Sequence, residues 1–153
     1  MPRAGFYAIH AAKIRFGRDG HWYADDERIT NERIADLFAR HLQRAPDGTY
    51  VIRMGDERAG VEIEDTPFVV TAATVEADGQ VRIELNDHSE EILDPTTLEV
   101  GAEQVLYCRT KGKSERARFL RAAYYQLAPH INETEPGRFA LLTGGIAHPI
   151  RCC

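Results

Sequence analysis

Residues 29–37 (ITNERIADL) and 48–55 (GTYVIRMG) form a pattern that returns later in the chain as residues 119–127 (FLRAAYYQL) and 137–144 (GRFALLTG). In both copies, apolar residues at helical spacing precede an alternating segment that is bounded by glycines. A repeat of this kind indicates a duplicated structural unit in which a helix is followed by a strand. The aligned glycines are Gly48 with Gly137 and Gly55 with Gly144.

The dipeptide Thr66-Pro67 lies between the two copies and is the best candidate for a domain boundary. Proline disfavours helix in the residue before it and has no backbone N–H to donate to a sheet. We therefore predict an N-terminal half of residues 1–66 and a C-terminal half of residues 67–153. Short turns join most of the strand-like segments, which favours antiparallel pairing. The predicted class is α+β, a duplicated unit of mostly antiparallel strands with one main helix per half.

Both predicted helices begin at candidate capping residues. Thr30 is the candidate N-cap of the first helix, in which Ile34 opens an apolar stripe. Ser114 follows the turn Lys111-Gly112-Lys113 and is predicted to cap a second helix that ends near Ala128. Two lysines would then lie beside free helix amides, so this turn is a candidate anion site, although the full spacing of a phosphate-binding loop is absent.

Composition predicts a soluble cytoplasmic protein with no membrane association. The 153 residues carry a formal net charge of −5 without a run of lysine and arginine, which disfavours broad electrostatic binding to nucleic acids. No apolar run approaches the roughly 20 residues that a membrane-spanning helix needs. Residues 1–5 lack the apolar segment of a signal peptide.

Cysteines and histidines form no metal motif in the sequence. None of the six histidines has the helical spacing of a zinc protease or a companion Cys-x-x-Cys. Cys108 lies in an apolar run and is expected in the core. The terminal Cys152-Cys153 pair is expected to be a tail without a role, with a redox handle or a soft metal site as the alternative. We therefore predict no cofactor and no metal.

Cations and aromatic residues favour the binding of a small anionic ligand. Cations are concentrated between Arg109 and Arg121, whereas the first half is acidic around Glu62 and Asp65, so the ligand is expected between the halves. Exposed aromatic rings can stack on a planar ligand, although aromatic residues at such spacing more often form a core. The candidate ligand-binding residues are Trp22 and Tyr125 for stacking, Arg109, Lys111 and Arg121 for anion contact, and Asp65 for polar positioning.

Two other functions stay open at this point. Glu62 and Glu64 lie two apart on a predicted strand, so their carboxylates face the same way. Together with Asp65 and His148 they would suit a hydrolase, whereas a solvated outer face is the alternative for the two glutamates. The second possibility is a protein–protein interaction module that uses an exposed sheet edge or apolar patch.

Several segments resemble the bacterial domain-of-unknown-function family DUF1285. They are Arg18-Asp19-Gly20-x-Trp22-Tyr23, residues 61–69 (VEIEDTPFV), Arg121-x-x-Tyr124-Tyr125-x-Leu127, Gly144-Gly145 and Pro149-Ile150. The resemblance implies a duplicated α+β unit whose C-terminal half is superficially similar to pleckstrin-homology folds. It also implies a ligand site between the halves for a nucleotide-like molecule and a role in signal transduction, with no established enzymatic activity. The function predicted first is therefore a non-catalytic ligand-binding module.

Overall fold

The structure is a computed structural model that describes residues 12–152. The N-terminal residues considered for a signal peptide and the terminal Cys153 lie outside this range. The chain divides into two units, Met1–Pro67 and Phe68–Cys153. Within the described residues, each unit contains one sheet and one α-helix.

In chain order, the first unit has three strands, then helix α1, then three more strands. Its sheet has the order β3-β2-β1-β6-β5-β4, and neighbours are antiparallel except β1 and β6, which run parallel. The elements are β1 (Ile14–Phe16), β2 (Trp22–Ala24), β3 (Glu27–Arg28), α1 (Glu32–His41), β4 (Leu42–Arg44), β5 (Tyr50–Met54) and β6 (Glu57–Ile63).

Helix α1 begins after Asn31, one residue later than the sequence suggested. The Asn31 side-chain oxygen accepts hydrogen bonds from the backbone N–H groups of Arg33 (3.0 Å) and Ile34 (3.2 Å). The prediction of Thr30 as the cap is wrong, because Asn31 satisfies the free amides of the first turn. The helix buries Phe38 in the core of the first unit.

The second unit is a nine-stranded sheet with helix α2. Its order is β13-β14-β15-β10-β11-β12-β7-β8-β9, and only the pairs β10–β15 and β7–β12 are parallel. The elements are β7 (Phe68–Val75), β8 (Val81–Leu85), β9 (Glu90–Ile92), β10 (Glu99–Val100), β11 (Leu106–Thr110), β12 (Glu115–Phe119), α2 (Arg121–Leu127), β13 (Ile131–Glu135), β14 (Arg138–Thr143) and β15 (Ile146–Cys152), with short 3-10 turns at Pro95–Thr97, Ala102–Gln104 and Ala128–His130.

Strands β10 to β15 of the second unit repeat the strand order described for the first unit. The order β13-β14-β15-β10-β11-β12 matches β4-β5-β6-β1-β2-β3, and in both copies the first and last strands of the repeat pair in parallel. Strands β7 to β9 continue the second sheet beyond β12 and are named the extension below. The aligned glycines occupy equivalent turns with positive φ, which are Gly48 (+90°) with Gly137 (+79°) and Gly55 (+63°) with Gly144 (+59°). The predicted duplication and the α+β class are confirmed.

Residues 115–119 form strand β12 and not the start of the second helix. They pair antiparallel with β11 and parallel with β7, and Ala117 and Phe119 are buried at alternate positions. Helix α2 therefore begins at Arg121, and the predicted helix cap at Ser114 is wrong. The segment Lys111-Gly112-Lys113 is instead the turn of the β11–β12 hairpin, with all three residues at positive φ. No helix amides lie beside these lysines in the described structure.

Helix α2 packs on the extension through its buried residues Ala123 and Leu127. Gln126 ties the helix to β7, because its side-chain oxygen accepts a hydrogen bond from the backbone N–H of Ala73 at 2.8 Å. Cys108 lies in the same core, as predicted, and burial raises the pKa of its thiol to about 12. None of the helices within residues 12–152 is long and apolar enough to cross a membrane.

Candidate anion-binding site

Three arginines gather on one face of the second sheet. Arg109 and Arg116 are direct partners across the β11–β12 hairpin. Arg151 pairs with Glu99, and Glu99 pairs with Tyr107, along a row that crosses β15, β10 and β11. Partners across strands project to the same face of a sheet. Arg109, Arg116 and Arg151 are named the arginine cluster below.

The arginine cluster borders a depression of about 390 Å³. Its lining carries three guanidinium groups but a single carboxylate, in a chain whose formal net charge is −5. A concentration of one charge in a concave site attracts ligands of the opposite charge. The lining residues are Thr97, Glu99, Tyr107, Cys108, Arg109, Arg116 and Arg151.

Arg116 is oriented by two contacts. One terminal nitrogen donates a hydrogen bond to Glu99 Oε1 at 2.8 Å, and the guanidinium lies over the ring of Tyr107 at 3.9 Å from its centroid. Both side chains of the Arg116–Glu99 pair are partly exposed, so the pair adds only about 0–1 kcal/mol to stability. Its main effect is to fix the plane of the guanidinium, which keeps further N–H donors for a ligand.

Arg109 and Arg151 bring charges that no ion pair neutralises within the part of the chain that the structure describes. Both are exposed, and within residues 12–152 neither guanidinium forms an ion pair. The backbone at Arg109 is nevertheless fixed, because its N–H donates to Thr97 Oγ1 at 3.1 Å and the Thr97 hydroxyl donates to the Asp94 carbonyl at 2.8 Å. A backbone held by hydrogen bonds, together with a guanidinium that forms no ion pair among the described residues, suits recognition of an external anion.

The equivalent position in the first unit has the opposite charge. Arg15 on β1 pairs with Tyr23 and Glu62 in the same register in which Glu99 pairs with Tyr107 and Arg151. The Arg15 guanidinium lies 4.1 Å from the Tyr23 ring centroid. It also lies 3.8 Å from carboxylate oxygens of both Asp26 and Glu64, so the cation of the first copy is surrounded by acids. In the second copy the signs of the charges are exchanged, since an acid, Glu99, stands among arginines, and the excess charge is positive.

Lys111 was predicted to contact the anion, but it is engaged within the second unit. Its Nζ donates hydrogen bonds to Asp87 Oδ2 at 2.6 Å and Ser89 Oγ at 3.0 Å, and it lies 5.1 Å from the Phe68 ring centroid. Burial alone would raise the pKa of Asp87, but the hydrogen bonds from Lys111 and Ser89 outweigh burial and leave that pKa below its usual range. Lys111 therefore holds the β11–β12 turn to the extension.

Replacing Lys111 by methionine should destabilise the protein by about 1–3 kcal/mol at pH 7, because it leaves the largely buried Asp87 carboxylate without its cation. Only 11% of the Asp87 side chain is exposed. Since the Asp87 pKa is lowered by folding, the stabilisation exists above about pH 4 and is lost as the pH falls through the folded pKa. The cost of the substitution should shrink accordingly in urea titrations at lower pH.

Lys113→Met is the matched control on the other side of Gly112. Lys113 Nζ lies 2.9 Å from Asp94 Oδ2, but 64% of the lysine side chain and 33% of the aspartate side chain are exposed. Its loss should cost less than about 1 kcal/mol. Equal costs for the two lysines at pH 7 would contradict the structural role of Lys111.

Trp22 and Asp65 belong to the first unit. Trp22 is only 2% exposed, and its ring centroid lies 4.7 Å from that of Phe16 and 5.5 Å from that of Phe38. The stacking role predicted for Trp22 is replaced by a role in the core, since no ring face is left for a ligand. Asp65 is half-buried and follows strand β6. All residues that line the depression at the arginine cluster come from the second unit.

Arg121 and Tyr125 meet at another depression, of about 240 Å³, beside helix α2. Tyr125 is 62% exposed, and its ring centroid lies 5.9 Å from that of Tyr124. Arg118 also lines this depression. The structure thus brings Arg121 and Tyr125 together, and it places Arg109 in a different depression.

Glu62 lies on the exposed side of β6, Glu64 directly follows that strand, and both carboxylates have partners in the first unit. Lys13 Nζ lies 3.9 Å from a carboxylate oxygen of Glu62, and Glu64 accepts a hydrogen bond from the backbone N–H of Arg18 at 2.7 Å. These contacts fit the solvated outer face that was the alternative to a catalytic role. His148 lines a depression of the second unit next to the turn at Gly144. Within residues 12–152, no group of three or more histidine, cysteine or acidic residues is placed to hold a metal.

Sequence reasoning identified Arg109 and missed most other residues of the depression. The available signal was the period-two spacing of Tyr107-x-Arg109 and Arg116-x-Arg118, which places these side chains on one face if both segments are strands. The helix predicted from Ser114 hid the second half of that signal. The missed residues are Thr97, Glu99, Tyr107, Arg116 and Arg151.

Two solved structures are similar to this chain, whereas no family model and no curated protein matches it. A DUF1285 family protein from Silicibacter pomeroyi DSS-3 matches with a TM-score of 0.71 and 20% identity over 91% of this chain and 79% of that chain. A DUF1285 family protein from Shewanella baltica OS155 matches with a TM-score of 0.61 and 17% identity over 80% of this chain and 95% of that chain. The chain has the DUF1285 fold, which confirms the resemblance at the level of the fold.

Proposed function

We propose that this protein is a non-catalytic module that binds a small anionic ligand at the arginine cluster. The observation that carries the proposal is a pair of guanidiniums, Arg109 and Arg151, that form no ion pair with any described residue and lie beside the oriented guanidinium of Arg116. Guanidinium groups bind phosphates and carboxylates through paired N–H donors, which gives both strength and orientation. Three such groups around one depression suit an oxyanion with two or more negative charges.

The proposal extends to a nucleotide-like ligand in a signalling role. Its phosphate would lie among the arginines, and the exposed planar guanidinium of Arg109 would offer a surface on which a base can stack. Tyr107 would not stack, because it is buried and Arg116 covers its ring. Occupancy of the site would then be read by a protein partner.

Binding without chemistry fits the thiol that lines the depression. Cys108 is the one residue of the lining with a nucleophilic sulfur. Burial raises its pKa to about 12, so the reactive thiolate is scarce at neutral pH. The lining therefore provides N–H groups that can donate hydrogen bonds to an anion, whereas its cysteine packs in the core.

Calorimetric titration with pyrophosphate and with adenosine monophosphate tests this proposal. Arg109→Gln and Arg151→Gln should each weaken binding about ten- to hundredfold, since each removes charge-assisted hydrogen bonds worth about 1.5–3 kcal/mol. Glu99→Gln should tighten binding, because the amide oxygen can still accept the hydrogen bond that orients Arg116, while the negative charge that repels an anion is removed. Affinity should also fall as salt rises.

Arg138→Gln is the matched control, because Arg138 is an exposed arginine of the same unit whose Nε lies 3.8 Å from a carboxylate oxygen of Glu135. It lowers the net charge equally and should leave the affinity unchanged. Equal losses in Arg109→Gln and Arg138→Gln would reduce the effect to overall charge and refute the site. An absence of binding by the unsubstituted protein at millimolar concentration would refute it as well.

A further inference from the structure

We infer that the second unit has a separate site for an amphipathic anion, a short hydrocarbon chain that ends in a carboxylate, beside helix α2. The site consists of two adjoining depressions, of about 150 Å³ and about 240 Å³. Gln104, Leu106 and Tyr124 line both of them, so the two depressions adjoin, and together they are named the groove below. One end of this groove is apolar and the other is cationic.

The apolar end lies against the hydrophobic core. Val100, Ile131 and Ile150 line it, and all three are half-buried side chains that pack on the core cluster. Phe139 adds an aromatic wall, and the small side chain of Ala128 leaves space at the end of the helix. A recess with such walls favours hydrocarbon over water, because burying each methylene is favourable. It has no cation of its own.

The cationic end is formed by Arg118 and Arg121. Arg121 is exposed, and within residues 12–152 its guanidinium forms no ion pair. Tyr124 and Tyr125 stand next to it as exposed aromatic rings, and Tyr125 lines only this end of the groove. Exposed rings beside an unneutralised guanidinium provide an apolar surface that leads to a carboxylate site.

The backbone has positive φ where the two ends meet, as it also has at Asp25-Asp26. Glu103 and Gln104 are consecutive non-glycine residues with φ of +59° and +63°. Such conformations are disfavoured for residues with a side chain, and they occur often at binding sites. They hold Gln104 at the junction of the groove, where its amide can reach the head group of a ligand.

The volume of the apolar end limits the length of the chain. At about 150 Å³ it is a small depression, which suits a short hydrocarbon chain better than a long one. The ligand class is therefore a short straight-chain carboxylate, with its carboxylate on Arg121, and hexanoate is the probe of this class. This inference does not rest on the arginine cluster, because none of the three cluster residues lines the groove.

Titration of the full chain with straight-chain carboxylates from butanoate to octanoate tests the groove. Affinity should rise about fourfold per methylene while the added carbons are buried at the apolar end, and it should level off once that end is filled. Hexan-1-ol, which lacks the charge, should bind at least tenfold more weakly than hexanoate. Hexanoate should perturb the NMR signals of Ile131 and Phe139 in the unsubstituted protein. An affinity independent of chain length, or perturbations confined to other residues, would overturn the inference.

Variants separate the two ends of the groove. Arg121→Gln should weaken hexanoate binding about tenfold or more while Arg138→Gln leaves it unchanged. Ala128→Phe should abolish hexanoate binding by filling the apolar end, and its backbone is compatible because Ala128 has helical φ and ψ. Both groove variants should bind pyrophosphate normally, which distinguishes failure of this inference from failure of the arginine cluster. Equal hexanoate affinity in Arg121→Gln and the unsubstituted protein would overturn the inference.

Discussion

Trp22→Ala is expected to destabilise the first unit by about 3–5 kcal/mol, the usual cost of deleting a large buried aromatic side chain. The indole is 2% exposed and contacts both Phe16 and Phe38, so its loss leaves a cavity between β1, β2 and α1. Chemical denaturation should be followed by circular dichroism, since Trp22 is the single tryptophan of the chain.

Tyr125→Ala is the control for Trp22→Ala. Tyr125 is also an aromatic residue named by the sequence as a stacking candidate, but it is 62% exposed, and its loss should cost less than about 1 kcal/mol. The milder variant Trp22→Phe should retain anion binding at the arginine cluster. A negligible cost for Trp22→Ala, or loss of anion binding in Trp22→Phe, would contradict the core role of Trp22 and favour a role in ligand binding.

Gly79→Ala should destabilise the second unit by about 2–5 kcal/mol, the sum of a left-handed backbone and an overpacked contact. Gly79 has φ of +89°, and a Cβ there would lie 2.6 Å from the Cα and 2.8 Å from the N of Gly144. Backbone cannot move aside as a flexible side chain can. The contact joins the β7–β8 turn of the extension to the β14–β15 turn of the repeat.

Gly137→Ala measures the cost of the left-handed backbone without the close contact. Gly137 has φ of +79°, but a Cβ at that position meets no atom within 4 Å, so its cost should be about 1–2 kcal/mol. Urea titrations of both variants compare the two costs directly. Equal costs would show that the close approach of Gly79 to Gly144 does not contribute to stability.

The duplicated fold was accessible from sequence because its markers are local. Strands β5, β7 and β8 span Tyr50–Met54, Phe68–Val75 and Val81–Leu85. Their alternating or continuous apolar runs are closed by glycine or proline turns. The glycines at Gly48 and Gly137 need no partner elsewhere in the chain to define a turn with positive φ.

Strand β12 could not be predicted in the same way. Residues 115–119 (ERARF) contain good helix formers, and a serine precedes them at a capping position. They are extended because β11 and β7 pair with them on both sides. The pairing with β7 joins residues that are nearly fifty positions apart, and pairing of that kind overrides local propensity.

The candidate site depended on the same distant pairings. Arg151 reaches the arginine cluster only because β15 runs parallel to β10 and sets it opposite Glu99. Lys111 was named for its charge, but its partner Asp87 lies 24 positions away in the sequence. The expected contrast between an acidic first half and a basic second half does have a structural counterpart, in the exchanged charges around Arg15 and Glu99.

The arginine cluster is tested most directly by an NMR titration of pyrophosphate into the intact chain, with backbone and arginine side-chain N–H signals recorded together. Anion binding at this site predicts saturable shifts at Thr97, Glu99, Arg109, Arg116 and Arg151 that reach a plateau together, with the side-chain signals of Arg138 unmoved. Shifts that stay linear in pyrophosphate concentration, or that spread equally over exposed arginines, would mean screening without a site and would contradict the proposed function.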